Sequence, residues 1–436
     1  MRTTSSVVLL LVLLAGFAPS TSAQASLRLQ RETGRAMLEQ IRDRIKEYYY
    51  DPAFHQLDLN ELYKSADDAI KKAETEGQIV ALLAGFALSL EDSHTRFYPG
   101  PRSIDYDYGW VMEIVGDDCF ITAVKPGSDA EKKGVREGDQ VLSVLDEVPS
   151  RANLWRTRYF IYSISPQRVM KVTLRSPGAE PRNLEIATGV SRPYRAMDGR
   201  DQSGLQRQRI EDQKANQRGQ QRFHEFGGEA LVWKVPDFDR ERFEINEVFD
   251  RVRKFKTLII DLRGNRGGAD ETLLAIIGNL FDRDVKVADL VLRKGRRSLI
   301  AKTRGKQSFT GKVTILVDAE TTSWGEVLAR VIQLEKRGTV IGDVTAGRVM
   351  RSRDSLEYVG ADALIRFAVS VTDADVYLTD GKRLEMTGVK PDELLLPSPA
   401  DMAAHRDPVL ARACALNGVP LEPIQAGTLF PYIWPE

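Results

Sequence analysis

The sequence predicts a multidomain α+β protein, and three observations point to it. An amphipathic helical stretch comes first, a run of short strands between glycine turns second, and alternating strands and helices third. With 436 residues the chain is too long for one ordinary domain. Hydrophobic residues make up 42% and charged residues 28%, the balance of a globular protein. Lys+Arg and Asp+Glu number 62 each, so no basic excess favours a nucleic-acid partner.

In chain order, Arg2 supplies a positive start and Val7 to Ala15 is an apolar run. Pro19 breaks it, and Thr21-Ser22-Ala23 has the small-x-small form of a signal-peptidase site. The run is too short to span a bilayer of roughly 30 Å. Residues 1–23 therefore read as a signal peptide cleaved near Ala23, and the mature protein as exported, periplasmic or extracellular, without a stable membrane span. Residues 24–104 read as a helical domain: Met37, Leu38, Ile41, Ile45 and Tyr48 recur at spacings of three and four, and Leu59 to Ala73 and Gln78 to Leu88 give two further helices.

Residues 105–190 read as a β-rich domain, with strands at Val111–Ile114, Cys119–Val124, Gln140–Val144 and Val169–Leu174, and turns at Pro126-Gly127, Gly138-Asp139 and Pro177-Gly178. Residues 191–225, rich in Arg, Gln and Asp, read as a polar linker or flap. Residues 226–396 alternate strands (Thr257–Leu262, Val313–Val317, Val340–Gly342) with helices (Glu271–Phe281, Glu326–Glu335), an α/β core. The tail 397–436 ends in Leu429-Phe430-Pro431-Tyr432-Ile433-Trp434-Pro435, too apolar to stay exposed; it docks on the core or forms a subunit contact, which leaves a homo-oligomer open.

Cys119 and Cys414 are the only cysteines and lie far apart, so they form no disulfide framework. There is no HExxH and no CxxC, and the four histidines are scattered. No metal and no organic cofactor is expected.

Two segments carry chemistry. Val317-Asp318-Ala319-Glu320-Thr321-Thr322-Ser323-Trp324-Gly325-Glu326 joins a buried strand to a helix. A serine there sits beside the free N–H groups of a helix start, which favour developing negative charge; it also suits a plain N-cap. Asp261-Leu262-Arg263-Gly264-Asn265-Arg266-Gly267-Gly268 has three glycines that allow close backbone approach, as an oxyanion hole, a tight loop or an anion nest requires. It lacks the Gly-Lys-Ser/Thr ending of a phosphate loop.

These segments resemble the tail-specific, or carboxy-terminal processing, proteases and the related tricorn-type peptidases. Asp261 to Gly268 is similar to their Asp-Leu-Arg-Asn-Asn-x-Gly-Gly, and Ser323-Trp324-Gly325-Glu326 to their Ser-Ala-Ser-Glu, whose first serine is the nucleophile. Gly342 to Gly347, Gly388-Val389-Lys390-Pro391-Asp392 and Leu90 to Thr95 resemble three further family motifs, in the family order. The resemblance implies a crotonase-like (ββα) peptidase core and a PDZ-like domain over 105–190. Ile121 to Ala130 and Gly134 to Leu142 are similar to the PDZ pattern, with Tyr108-Gly109-Trp110-Val111 as the loop for a peptide carboxylate.

The processing proteases place a lysine base 25 residues after the serine; here that position is Arg348, which stays protonated and cannot serve. Arg348 pairs with an acid or binds a substrate carboxylate instead. The tricorn-type branch uses a Ser-His pair and a glutamate, and Ser93-His94 and Glu385 match it. The implied catalytic set is Ser323, His94, Glu385 and Ser93, with Gly267 or Gly268 and Trp324 holding the oxyanion. The implied function is an exported serine endopeptidase acting on unfolded or C-terminally exposed peptides and proteins. The alternatives are an inactive peptide-binding scaffold, kept open by Arg348, and an esterase on the same core.

Overall fold

The computed structural model describes residues 21–100, 102, 104–191, 221–360 and 365–434. Residues 1–20 of the predicted signal peptide and 192–220 of the predicted flap lie outside them. Helix Thr21–Tyr48 packs against helices Leu59–Lys72 and Glu76–Leu88 through Leu38, Ile41, Ile45, Ile70, Ile79 and Leu83. Asp58 caps the second helix by accepting from the N–H groups of Asn60 and Glu61. The bundle does not close on itself: Phe97, Phe367, Val369 and Val371 complete its core, and three of these belong to a strand of the C-terminal half. None of the described helices is long and apolar enough to cross a membrane.

The β-rich domain is an insertion. Its entry strand Asp105–Asp107 pairs antiparallel with its exit strand Gly189–Ser191, so the chain enters and leaves side by side. Between them lies a five-stranded antiparallel sheet in the order Trp110–Val115, Asp118–Val124, Gln140–Val144, Val169–Arg175, Arg182–Ala187. Cys119, Ile121 and Ala123 alternate into its core with exposed or half-buried neighbours, the period-2 pattern of a sheet with one wet face. Helix Leu154–Tyr159 packs on this sheet through Leu154.

The C-terminal half holds two sheets. One has six strands in the order Glu393–Leu394, Thr339–Gly342, Lys312–Val317, Thr257–Asp261, Ala230–Lys234, Arg222–Phe226, all parallel except the last. Alternate residues sort to its two faces. Leu231, Trp233, Leu258, Ile260, Ile315 and Val317 face helices Arg242–Val252, Asp270–Leu280 and Trp324–Leu334, while Val232, Ile259, Leu316 and Ile341 face helix Pro408–Leu416. Both faces are covered, as a parallel sheet requires.

The second sheet is antiparallel. Strand Ile365–Leu378 lies between Arg96–Tyr98 and Val285–Leu292, the latter paired with Arg296–Ala301, and Met350–Val359 also pairs with it. The sequence reading of strand–helix alternation does not anticipate these antiparallel strands. The reason is burial: Ser370 to Val376 is buried without alternation and includes Ser370, Thr372, Asp373 and Asp375, so it carries neither a period of two nor a hydrophobic run.

Asp261 ends the central strand with no exposed surface. Arg263 bonds both of its oxygens at 2.9 and 2.8 Å and bonds Asp407 of the tail at 2.9 and 2.7 Å, while Lys234 Nζ lies 3.2 Å from Asp261. These cations hold the Asp261 carboxyl far below the usual range against the opposing effect of burial. Arg263→Met is expected to destabilise the protein by about 3 kcal/mol in urea unfolding, because it strands buried charge; an unchanged midpoint would contradict this.

Candidate active site

Ser323 stands between strand Lys312–Val317 and helix Trp324–Leu334 with φ 56° and ψ −127°. A non-glycine residue at positive φ is strained and must be held by its surroundings. Several bonds hold it. Ser323 N–H donates to Arg348 O at 2.9 Å and to Glu326 Oε1 at 3.2 Å, and Thr322 N–H donates to Asn265 O at 2.9 Å. Thr321 Oγ1 donates to Leu262 O at 2.8 Å and Gly264 N–H to Asp318 Oδ1 at 2.9 Å, joining the serine turn to the glycine loop.

Glu326 is fully buried and accepts from four groups: Ser323 N–H, Thr345 Oγ1 (2.5 Å), Gly347 N–H (2.8 Å) and Arg348 N–H (2.9 Å). Burial pushes its carboxyl up to about 7, against the lowering effect of those bonds. Ser323 and Glu326 form the capping box of helix Trp324–Leu334. In the fold the glutamate also ties the helix start to the loop 345–348, a role the sequence reading missed.

The glycine loop meets the serine at Gly267, which has φ +76°. A Cβ there would lie 2.9 Å from Ser323 Oγ and 3.2 Å from Trp324 N. Gly267 thus leaves space beside Ser323. Its own N–H is donated to Asn265 Oδ1 at 2.8 Å, with Asn265 completely buried. Of the three backbone groups named for the oxyanion, Gly268 and Trp324 are the two whose N–H makes no hydrogen bond among the described residues. Asn265 matches the second asparagine of the family stretch, but its bond to the Gly267 N–H is not readable from that match.

Strand Arg96–Tyr98, paired with Ser370 to Ala368, brings the preceding turn to this site. Asp92 shapes that turn by accepting from His94 N–H (2.8 Å), Thr95 N–H (2.6 Å), Thr95 Oγ1 (2.7 Å) and Thr372 Oγ1 (2.6 Å). His94 Nδ1 and Ser93 Oγ are 2.7 Å apart, and Ser93 Oγ donates to Glu385 Oε2 at 3.0 Å. Glu385 also accepts from Ser93 N–H (3.1 Å) and Val349 N–H (2.7 Å). Three donors converging on Glu385 fit a carboxylate. The Ser93 hydroxyl has one proton, which goes to Glu385, so it accepts from His94 Nδ1–H and leaves Nε2 with a free lone pair. Burial, then Arg96 and Arg348, push the imidazole down to about 4, opposed by Asp92.

Ser323, His94, Ser93 and Arg348 line one cavity of about 2420 Å³ that runs on to Tyr108, Trp110 and Val111 of the inserted domain. No hydrogen bond joins the His94 ring to Ser323 among the described residues. The candidate carboxylate loop already holds a carboxylate: Gly109 N–H donates to Asp107 Oδ1 (2.9 Å) and Lys125 Nζ to Asp107 Oδ2 (2.5 Å). Tyr108 is buried, and its hydroxyl donates to Ile161 O.

Arg158 of helix Leu154–Tyr159 donates to Met112 O on the edge strand and bonds Glu320 of the serine turn at 2.5 Å. Ala319 of that turn packs in the inserted domain's core, and Arg151 bonds Asp343 at 2.6 Å. The inserted domain therefore grips the turn that carries Ser323.

A strained serine at a helix start, a glycine cradle and a His-Ser-Glu chain on one cavity are the parts of a serine hydrolase core. Residues 230–395 match the model of Peptidase family S41. The chain is 26% identical over 354 residues to the tail-specific protease of Haemophilus influenzae, covering 77% of this chain and 48% of the relative. It is 24% identical to the chloroplastic C-terminal processing peptidase of Tetradesmus obliquus, covering 81% and 76%, and 22% identical to the carboxy-terminal processing protease CtpA of Bacillus subtilis, covering 78% and 66%. It thus spans about half the length of the Haemophilus relative and about two thirds of the Bacillus one. The fold is similar to mature CPAF, with TM-score 0.62 and 13% identity over 86% of this chain and 94% of that one. Residues 230–395 are thus similar to Peptidase family S41, and the chain as a whole is similar to tail-specific and carboxy-terminal processing proteases.

Gly267→Ala is expected to fill the cradle and lower kcat/KM by about 100-fold or more, with circular dichroism unchanged. Glu326→Gln is expected to lose about 2 kcal/mol in urea unfolding, because an amide presents only one acceptor oxygen to donors that converge on two.

Proposed function

We propose that the chain is an exported serine endopeptidase in which Ser323 is the nucleophile and His94 the general base. The observation that carries this reading is the His94–Ser93–Glu385 chain, which sets the tautomer of His94 and faces the cavity that Ser323 lines. On substrate binding, His94 Nε2 takes the proton of Ser323 Oγ as the oxygen attacks the scissile carbonyl. The oxyanion is held by the N–H groups of Gly268 and Trp324, and His94 returns the proton to the leaving amine. Ser93 and Glu385 orient the imidazole and stabilise its charged form, the logic of a Ser-His-acid triad with one hydroxyl interposed. The imidazole and Ser323 close to hydrogen-bond distance with substrate in place, as unliganded sites are often loose.

The inserted domain is assigned as PDZ-like, the core as crotonase-like, and the substrates as unfolded or C-terminally exposed polypeptides. A peptide strand adding to the edge Trp110–Val115 needs the Met112 carbonyl, so Arg158 must leave it. Export rests on the signal-peptide pattern of residues 1–23. The inactive reading rests on Arg348 alone, and a histidine base removes the need for a lysine at that position.

The test is cleavage of an unfolded protein, with fragments followed by mass spectrometry. Ser323→Ala and His94→Ala should each lower the rate by at least about 1000-fold; full activity in either variant removes that residue from the mechanism. The base must be neutral. With His94 held near 4, activity should persist as pH falls through the ordinary histidine value of about 6.5 and decline only toward pH 4. A pH–rate profile with its acid limb at about 6.5 would show an unperturbed imidazole instead.

A further inference from the structure

Arg348 occupies an unusual position for a charged group. Its backbone is fixed from both sides, the carbonyl accepting from Ser323 N–H and the N–H donating to Glu326. Arg348 lines the same cavity as Ser323 and His94 and its charge acts on the His94 ring, yet its guanidinium makes no hydrogen bond and no ion pair among the described residues. Burial lowers its pKa, which measures how poorly water solvates the charge there.

The carboxylates within its field are already engaged. Glu320 is bonded by Arg158 at 2.5 Å, and Glu326 accepts from four groups. Among the other cations lining the cavity, Arg96 and Arg158 are those whose charge acts on Arg348. Arg96 has one Nη on Ser93 O and its plane 4.6 Å above Trp155, while its Nε is buried with no partner. Unfilled guanidinium donors in a half-dry pocket recognise planar anions, and a carboxylate is the anion a polypeptide carries.

We infer that Arg348 is a specificity-determining residue that selects polypeptides presenting a carboxylate next to the scissile bond. The carboxylate comes either from an aspartate or glutamate side chain or from the free C-terminus of a short tail. Such a substrate also offsets the positive charge that weighs on His94 once bound. The inference rests on Ser323 being the nucleophile, so its test is arranged to separate the two.

Four matched fluorescent peptides, differing at the residue before one fixed bond, are titrated into Ser323→Ala protein and followed by anisotropy. Three have amidated C-termini and carry Glu, Gln or Lys at that residue; the fourth carries Gln and ends in a free carboxylate one residue beyond the bond. The Glu peptide, the free-acid peptide or both should bind at least about tenfold more tightly than the amidated Gln peptide. The advantage should disappear in Ser323→Ala/Arg348→Gln. In Ser323→Ala/Arg348→Glu it should pass to the Lys peptide.

Whichever acid peptide binds identifies the source of the carboxylate. Equal binding of all four, or an advantage that survives Arg348→Gln, overturns the inference. Cleavage by the protein with Ser323 intact is read separately: acid-selective binding without any cleavage would remove the peptidase reading and leave the carboxylate site standing.

Discussion

The site depends on the Glu326 carboxylate. A carboxylate with no exposed surface is tolerated only when its lone pairs are filled. Here the four donors come from two chain segments that the sequence separates by about twenty residues, the serine turn and the loop 345–348. One buried acceptor thus fixes the strained backbone of Ser323, the backbone of Arg348 and, through Gly347 and Val349, the wall against which Glu385 sits. The strain at Ser323 is sustained because these bonds cannot be kept in another conformation of the turn.

A second constraint is topological. The histidine arrives from a part of the chain that precedes the inserted domain, and the serine from a part that follows it. Three residues, Arg96 to Tyr98, pair with the long strand Ile365–Leu378 and deliver the His94 turn to the core. The helical bundle shares its hydrophobic core with that same strand, so burial of Phe97, Phe367 and Val369 helps to hold the His94 turn in place. Helix Leu154–Tyr159 of the inserted domain then touches all the parts. Trp155 lies under Arg96, Arg158 bonds Glu320, and the Tyr159 hydroxyl donates to Phe97 O. Motion of that domain cannot leave the active site unchanged.

Much of this was legible in the sequence where a local rule operates. The helices of the bundle and the strands Thr257–Asp261 and Lys312–Val317 follow from period and burial. The Ser93–His94 pair and Glu385 are recognisable from family motifs, although nothing local says that a strand pairing some 270 residues away brings them together. The antiparallel strands around Ile365–Leu378 were not legible, because buried threonines, serines and aspartates interrupt the apolar pattern. Nor was the commitment of the Gly267 N–H to Asn265. Glycine signals close approach, and here the approach is of Ser323 and Trp324 to an absent side chain rather than of an anion to that N–H. The occupied loop at Gly109 has the same origin: Asp107 is two residues upstream, and only the turn geometry shows that its carboxylate takes the slot.

The electrostatics of the cavity give these pieces a common sense. A serine nucleophile with a histidine base works best when the imidazole gains a proton readily as the oxyanion forms. In the unliganded chain it does not, because burial and two arginines oppose a charge on His94 more strongly than Asp92 favours one. The anchored carboxylate of Glu385 reaches the imidazole only through the Ser93 hydroxyl, so its help is indirect. Lowering the positive field at the moment of binding is therefore worth more here than adding another acid to the protein. A permanent acid paired with Arg348 would weaken its field whether or not substrate is bound. In the proposed mechanism an acid brought by the substrate would do so only when a bond is in place to be cut, which would tie activation of Ser323 to occupancy.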